Sequence, residues 1–224
     1  SPDGLHWSLR QAEPLEVPGA FDSQNLAFWD ALRGEYRMYL RDVIPPFFRG
    51  IKTCTSPDFL HWNEPQWLAY PGTPDEQLYT NQVQPYYRAP HLFVGFPARY
   101  VERPWSAAIE ALPEREHRQL RARVSERYGA AVTDTQFMAS RDGRTFRRWG
   151  EAFIRPGLRT AGSWCYGDMY TGCGMVETPS DLPGAPDELS IYVSEGYWRG
   201  TGNRIRRYTL RVDGFVSVNF PLAG

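Results

Sequence analysis

Ser140-Arg-Asp-Gly-Arg-Thr-Phe146 decides the fold, because its pattern of Ser-x-Asp-x-x-x-aromatic occurs twice more, at Ser1-Pro-Asp-Gly-Leu-His-Trp7 and Ser56-Pro-Asp-Phe-Leu-His-Trp62. A recurrence of this kind marks a repeat architecture. The residue types suit a tight bend between two strands. The Ser hydroxyl and Asp carboxylate accept backbone N–H groups at the bend, Gly4 and Gly143 supply a positive φ, and the aromatic six residues after the Ser pins the next strand to a core.

The intervals between copies test the repeat. Ser1 and Ser56 are 55 residues apart, and Ser56 and Ser140 are 84 apart. Pro104 to Gly129 fills most of the excess and is the one stretch with convincing helical character. Pro104 and Pro113 each stand where a helix can start, and Leu112, Leu120, Val124 and Tyr128 form one apolar stripe that Gly129 ends. With that stretch set aside, a unit of roughly 50 residues built from short strands has the length of a propeller blade. The expected fold class is therefore all-β, a β-propeller of the five-bladed type with about three and a half blades present and one helical insertion.

The chain of 224 residues is expected to be a single propeller domain or a fragment of one. Residues 1–20 carry the end of a blade, with Glu13–Gly19 as its outer strand. A blade follows over 21–70, with strands at Phe21–Trp29, Glu35–Val43, Arg49–Thr55 and Trp62–Tyr70. The next blade spans 71–157 and contains the insert 104–129, with aromatic runs on either side of Arg88-Ala-Pro90 forming a hairpin. The last blade, 158–224, takes its strands from 164–177, 188–194, 205–212 and 216–220, with Asp213-Gly214 as a turn. Three units and the tail of another do not close a ring, so flanking blades or a partner chain are expected to complete it.

Composition bounds the function. The net charge of −1 gives no positive field for nucleic acid or an anionic membrane surface, and no apolar run reaches the length of a membrane span. Cys54, Cys165 and Cys173 are too few and scattered for a disulfide framework or zinc site, and read as small buried apolar residues unless Cys165 pairs with Cys173. No metal-ligand spacing and no phosphate-binding glycine loop occurs, so neither metal nor cofactor is expected. Lys52 is the only lysine beside many arginines. Base composition of the genome accounts for that bias, and recognition of carboxylate or sulfate groups by guanidinium forks is the functional alternative. No compartment is read from the sequence, with a secreted or periplasmic one favoured.

In a propeller the innermost strand of each blade lines the channel. That places Asp22, Asn25, Tyr79, Thr80, Asn81, Tyr166, Asp168 and Glu177 toward a common centre. Carboxylates from different blades that converge on a pocket suit glycosidic-bond chemistry, one held protonated and the other ionised. Asp22, Asp168 and Glu177 are the catalytic candidates, and for any one Asp at the head of a strand the alternative is a turn or cap. Substrate-binding candidates are Tyr79, Asn81, Trp164, Tyr166 and Glu195, joined by Arg88, His91 and Arg99 from an aromatic-rich run over 86–100. For that run the alternative is a buried aromatic hairpin with surface arginines, and for His91 a structural histidine.

The repeated Ser-Pro-Asp-x-Leu-His-Trp resembles the turn of five-bladed propeller glycoside hydrolases of the invertase (family 32) and arabinofuranosidase/xylosidase (family 43) kind, and the third copy resembles the Asp-box of sialidases. The resemblance implies a carbohydrate ligand, oligo- or polysaccharide, and acid/base chemistry by carboxylates at the channel mouth. Phe21-Asp22-Ser23 is similar in position to the Arg-Asp-Pro of invertase-like enzymes, which implies a transition-state role for Asp22 alone. The Asn-Asp-Pro-Asn-Gly nucleophile motif is absent, and Tyr79-Thr-Asn81 stands where a Glu-Cys acid/base motif would be. A non-catalytic carbohydrate-binding propeller is the alternative reading.

Overall fold

A computed structural model describes residues 1–163, 168–196 and 203–217. The first sheet is antiparallel, with β1 (Leu26–Asp30), β2 (Glu35–Ile44), β3 (Phe48–Ser56) and β4 (Gln66–Trp67) in sequential order. The bend between β1 and β2 forms because the Asp30 carboxylate accepts from Arg33 N–H, its carbonyl accepts from Gly34 N–H at 2.8 Å, and Gly34 takes a φ of +67°. Tyr39 and Leu40, adjacent on β2, point to opposite faces and are both fully buried. Both faces of this sheet are covered, as the inner strands of stacked blades require.

The second blade is longer and interrupted. Its pieces are β5 (Gln77–Leu78), β6 (Gln84–Tyr86), β7 (Ala89–Gly95), β8 (Ala98–Val101), β9 (Val132–Thr135), β10 (Met138–Ser140) and β11 (Arg147–Arg148). They form one sheet ordered β11-β10-β7-β6 and another ordered β5-β8-β9. Gly95 faces Met138 and Ala98 faces Thr135, so the two sheets continue one hairpin across a break at Phe96-Pro97 and Gln136-Phe137. The expected hairpin around Arg88-Ala-Pro90 is present, with Tyr86 opposite Ala89.

The insert lies between β8 and β9, at the far end of the β8–β9 pairing. It is three short helices, α1 (Ala107–Glu110), α2 (Arg115–Ala122) and α3 (Arg127–Ala130), and of the apolar stripe expected over 112–128 Tyr128 packs against Tyr100 and Ala131 while Leu120 and Val124 face away from the core. Leu120 is 58% and Val124 80% exposed, whereas Arg118 is wholly buried. The reason is that the Arg118 guanidinium donates to the carbonyls of Ile109, Glu110, Leu112 and Pro113. These carbonyls lie where one helix ends and the next begins, and satisfying them outweighs burying a leucine.

The third blade pairs β12 (Tyr170–Thr171) and β13 (Val176–Thr178) with successive parts of one edge of β14 (Glu188–Glu195). β15 (Arg204–Arg211) pairs along the other edge over its whole length. The Asp213-Gly214 turn follows, with Asp213 at a φ of +63°. Residues 216 and 217 form no strand, and the rest of the expected final strand lies outside the described residues. Residues 13–19 form no strand either, which corrects the outer strand expected there. Pro14 and Pro18 remove two ladder donors, and Val17 instead packs on Met38, Leu40 and Cys54. Cys173 is exposed, unlike the buried thiol expected, while Cys54 is buried.

The three Ser-x-Asp turns have one geometry. Asp58 Oδ1 accepts from the N–H groups of Leu60 and His61, and Ser56 Oγ from Phe59 at 2.9 Å. Asp142 does the same for Arg144 and Thr145, and Asp3 for Leu5 and His6. The third turn also joins blades. Tyr39 of β2 donates its hydroxyl to the Gly143 carbonyl at 2.8 Å, and Phe146 packs on Tyr39 within a cluster that includes Phe93, Leu78 and Met138. A second cluster, with Phe96, Phe137, Met169, Leu189 and Ile191, fills the space between the second and third blades. These two clusters form apolar layers between blades.

Candidate functional site

The inner ends of the three blades meet at Ser23–Asn25, Tyr79–Gln82 and Tyr170–Thr171. Ser23 Oγ donates to the Tyr79 carbonyl at 3.0 Å, Asn81 Nδ2 to the Gln24 carbonyl at 3.0 Å, and Gln82 Nε2 to the Thr171 carbonyl at 2.7 Å. Asn81 is 1% exposed and its Oδ1 accepts from Val83 N–H, so its amide ties strands together. Asn25 is spent likewise, on the Ser23 carbonyl and the Arg41 N–H. Thr80 Oγ1 accepts from Ala98 N–H.

Around that junction Tyr79 meets the Tyr170 ring edge-on at 5.7 Å, and the Arg41 guanidinium lies 4.5 Å over Tyr79. Arg41 also faces the exposed carboxylate of Asp22 at 3.4 Å. Asp22, Tyr79 and Tyr170 therefore share one neighbourhood, held by a buried arginine.

Asp168 precedes β12 and is 2% exposed. Its N–H donates to Thr133 Oγ1, whose hydroxyl donates back to the Asp168 carbonyl, and Asp168 Oδ1 accepts from Gly196 N–H at 2.8 Å. Burial pushes its carboxyl up to about 6; the Gly196 and Met169 N–H groups oppose that rise, and the nearby charge of Glu195 adds to it.

Glu195, at the end of β14, behaves in the opposite way. Burial alone would raise it, but hydrogen bonds from Tyr208, Arg206 and Arg204 hold it below the usual carboxylate range. Tyr208 donates at 2.5 Å, Arg204 Nε at 2.8 Å and Arg206 Nε at 2.9 Å. The two carboxyl groups line one cleft of about 340 Å³ together with Arg155, Thr160 and Ser163. Two carboxyl groups whose surroundings push their pKa values apart are what acid/base chemistry needs.

The remaining candidates fall elsewhere. Glu177 lies opposite Leu189 on β14, and Tyr170 opposite Ser194. At about 3.3 Å per residue that places Glu177 roughly 17 Å along the strand from Tyr170, away from Asp168. Its exposed carboxylate instead accepts from the Tyr87 hydroxyl. Arg88 donates to Asp213 at 3.3 Å beside it. His91 stands exposed on β7. Arg99 forks onto Asp134 at 3.0 and 2.6 Å and reaches Glu76 at 2.7 Å, a largely buried network with no fork left for a ligand. Trp164 and Tyr166 lie outside the described residues.

Arg155, Arg204, Arg206, Tyr208 and Thr133 were not legible as site residues. A signal for three of them existed in the alternation of Arg204, Arg206 and Tyr208, which places them on one face of a strand. What they face depends on the register of β15 against β14, which pairs Arg204 with Glu195. Among the described residues no group of three or more His, Cys, Asp or Glu gathers to hold a metal ion, and no helix is long and apolar enough to cross a membrane.

No family model and no curated protein sequence matches the chain. Among solved structures, it is similar to an N-acetylgalactosamine deacetylase from F. plautii in complex with blood group B trisaccharide, with 14% identity and a TM-score of 0.50 over 80% of this chain and 42% of that one. A Bombyx mori GH32 β-fructofuranosidase matches at 12% identity and a TM-score of 0.36, over 72% of this chain and 30% of that one. A fructofuranosidase from Schwanniomyces occidentalis complexed with fructosylnystose matches at 13% identity and a TM-score of 0.38, over 86% and 44%. The chain spans less than half the length of each. At these identities the likeness is one of fold alone, a chain built of several antiparallel sheets.

Proposed function

We propose that the protein processes a carbohydrate, with Asp168 as the proton-transferring carboxyl. The observation that carries this reading is the Asp168–Glu195 pair, in which burial and a neighbouring anion hold one carboxyl near pH 6 while three donors keep the other ionised. A carboxyl that titrates near neutrality delivers a proton to a leaving glycosidic oxygen and recovers it from water. Glu195 has both oxygens occupied by Tyr208, Arg204 and Arg206, so its part is to set the charge beside Asp168. Asp22, exposed at the inner ends of the blades, supplies a second anionic charge. The likeness in fold to a deacetylase solved with a trisaccharide supports the ligand class.

The second reading is a protein that binds sugar without cleaving it. It is favoured by the commitment of both Glu195 oxygens, which leaves Asp168 without a free carboxylate partner in its own cleft. Turnover of a panel of aryl glycosides and polysaccharides by the full chain, with Asp168→Asn as control, separates the two. The expected result is turnover that falls by about a hundredfold or more in the variant, in line with loss of a general acid, while retention on the same polysaccharide persists. A wild-type chain that is inert on the panel yet retained by a polysaccharide column establishes the binding reading instead.

A further inference from the structure

The cleft beside Asp168 concentrates positive charge in a chain whose total is nearly neutral. Its described lining contains three arginines, Arg155, Arg204 and Arg206, and only two acidic residues, Asp168 and Glu195. Arg207 is paired with Asp181, away from the cleft. Arg204 and Arg206 reach Glu195 through Nε alone, and their terminal NH2 groups meet no partner among the described residues. Arg155 makes neither ion pair nor hydrogen bond among the described residues, and it sits across the same cavity of about 340 Å³.

One carboxylate therefore orients two guanidiniums without using their forks. Glu195 and the Tyr208 hydroxyl act as a brace that fixes the direction of Arg204 and Arg206, which lowers the entropy that a ligand must overcome to order them. A planar fork left open and aimed at a cavity matches a carboxylate or sulfate, with which it makes two parallel charge-assisted hydrogen bonds. The Thr160 and Ser163 side chains on the rim add hydroxyl groups of the kind that meet sugar hydroxyls.

We infer that this cleft receives an anionic sugar, one bearing a carboxylate or a sulfate, held by Arg155, Arg204 and Arg206. The inference rests on the carbohydrate reading above and narrows it to acidic saccharides. It also gives the arginine bias of the sequence a local use.

The test is calorimetric titration of the full chain at low salt with three probes: a trigalacturonate, its carboxyl-reduced counterpart, and a chondroitin sulfate oligosaccharide. The expected result is that at least one charged probe binds ten times or more tightly than the neutral one, and that its affinity falls with added salt. Which charged probe binds distinguishes carboxylate from sulfate. Arg155→Gln, at an exposed side chain without partners among the described residues, is expected to weaken that binding about tenfold and to leave the thermal midpoint unchanged. Equal affinity for charged and neutral probes, or an Arg155→Gln chain that binds as tightly as the wild type, overturns the inference. Turnover of neutral glycosides that Asp168→Asn abolishes, with no charged probe bound, leaves the proposed function standing and sinks this one. Arg155-dependent binding of a charged probe without turnover of any substrate does the reverse.

Discussion

Asp168 shows how one side chain couples a site to stability. Its carboxyl moves from the ordinary aspartate value of 3.8 up to about 6 on folding, because burial disfavours the charged form. The folded chain thus holds this proton more tightly than the unfolded one. The associated stability is complete below about pH 4 and is lost as pH rises through about 6. Above pH 7 the ionised group costs about 3 kcal/mol at 1.36 kcal/mol per pKa unit. Asn at this position removes the charge and keeps an acceptor for Gly196 N–H. Asp168→Asn is therefore expected to melt above the wild type at pH 7.5 and to converge with it by pH 4, by differential scanning calorimetry. A variant that is less stable at both pH values contradicts the burial account. A group that destabilises the fold at working pH is a common property of sites that do chemistry.

At the scale of the element, the Ser-x-Asp turn has one geometry but carries a different burden in its first and third copies. Gly4 and Gly143 take nearly the same φ, +74° and +76°. Nothing lies within 4 Å of a Cβ added at Gly4, whereas one at Gly143 would stand 2.9 Å from Arg37 Nη1 and 2.9 Å from the Tyr39 hydroxyl. Gly4→Ala then carries only the left-handed backbone cost of about 1–2 kcal/mol. Gly143→Ala adds displacement of two buried side chains, for about 2–4 kcal/mol in all. Urea unfolding of the two variants is expected to rank them in that order, and equal losses would mean that the third turn does not lock against β2. The turns were legible in sequence because their hydrogen bonds run between residues two or three apart. The insert was not, since the four carbonyls that Arg118 satisfies belong to residues five to nine positions earlier, in a different helix or the loop between.

In the whole molecule the blades are held to each other by apolar layers and by a few polar links of long sequence separation. Tyr39 to Gly143 is one such link, and removing its hydroxyl strands a buried carbonyl while leaving the ring packing intact. Tyr39→Phe is expected to cost about 1–2 kcal/mol, which in a chain of this length lowers the melting temperature by roughly 2–8 °C; an unchanged midpoint would show that packing alone joins the first two blades. The amino-acid sequence by itself determined the all-β class, the three turns, the hairpin around Ala89 and the position of the insert. Each of those follows from local propensity, from the needs of a positive φ, or from the two-residue period of a strand. Only the tertiary structure decided which candidates share a site. Asp168 and Glu195 come together because the N–H of Gly196 meets Asp168 across 28 residues, and β15 brings Arg204, Arg206 and Tyr208 onto Glu195. Glu177, two strand segments from Asp168 on the same edge of β14, is carried away from it. Register and burial set which charges meet and how their pKa values part, and both are properties of the packed chain that no local pattern contains.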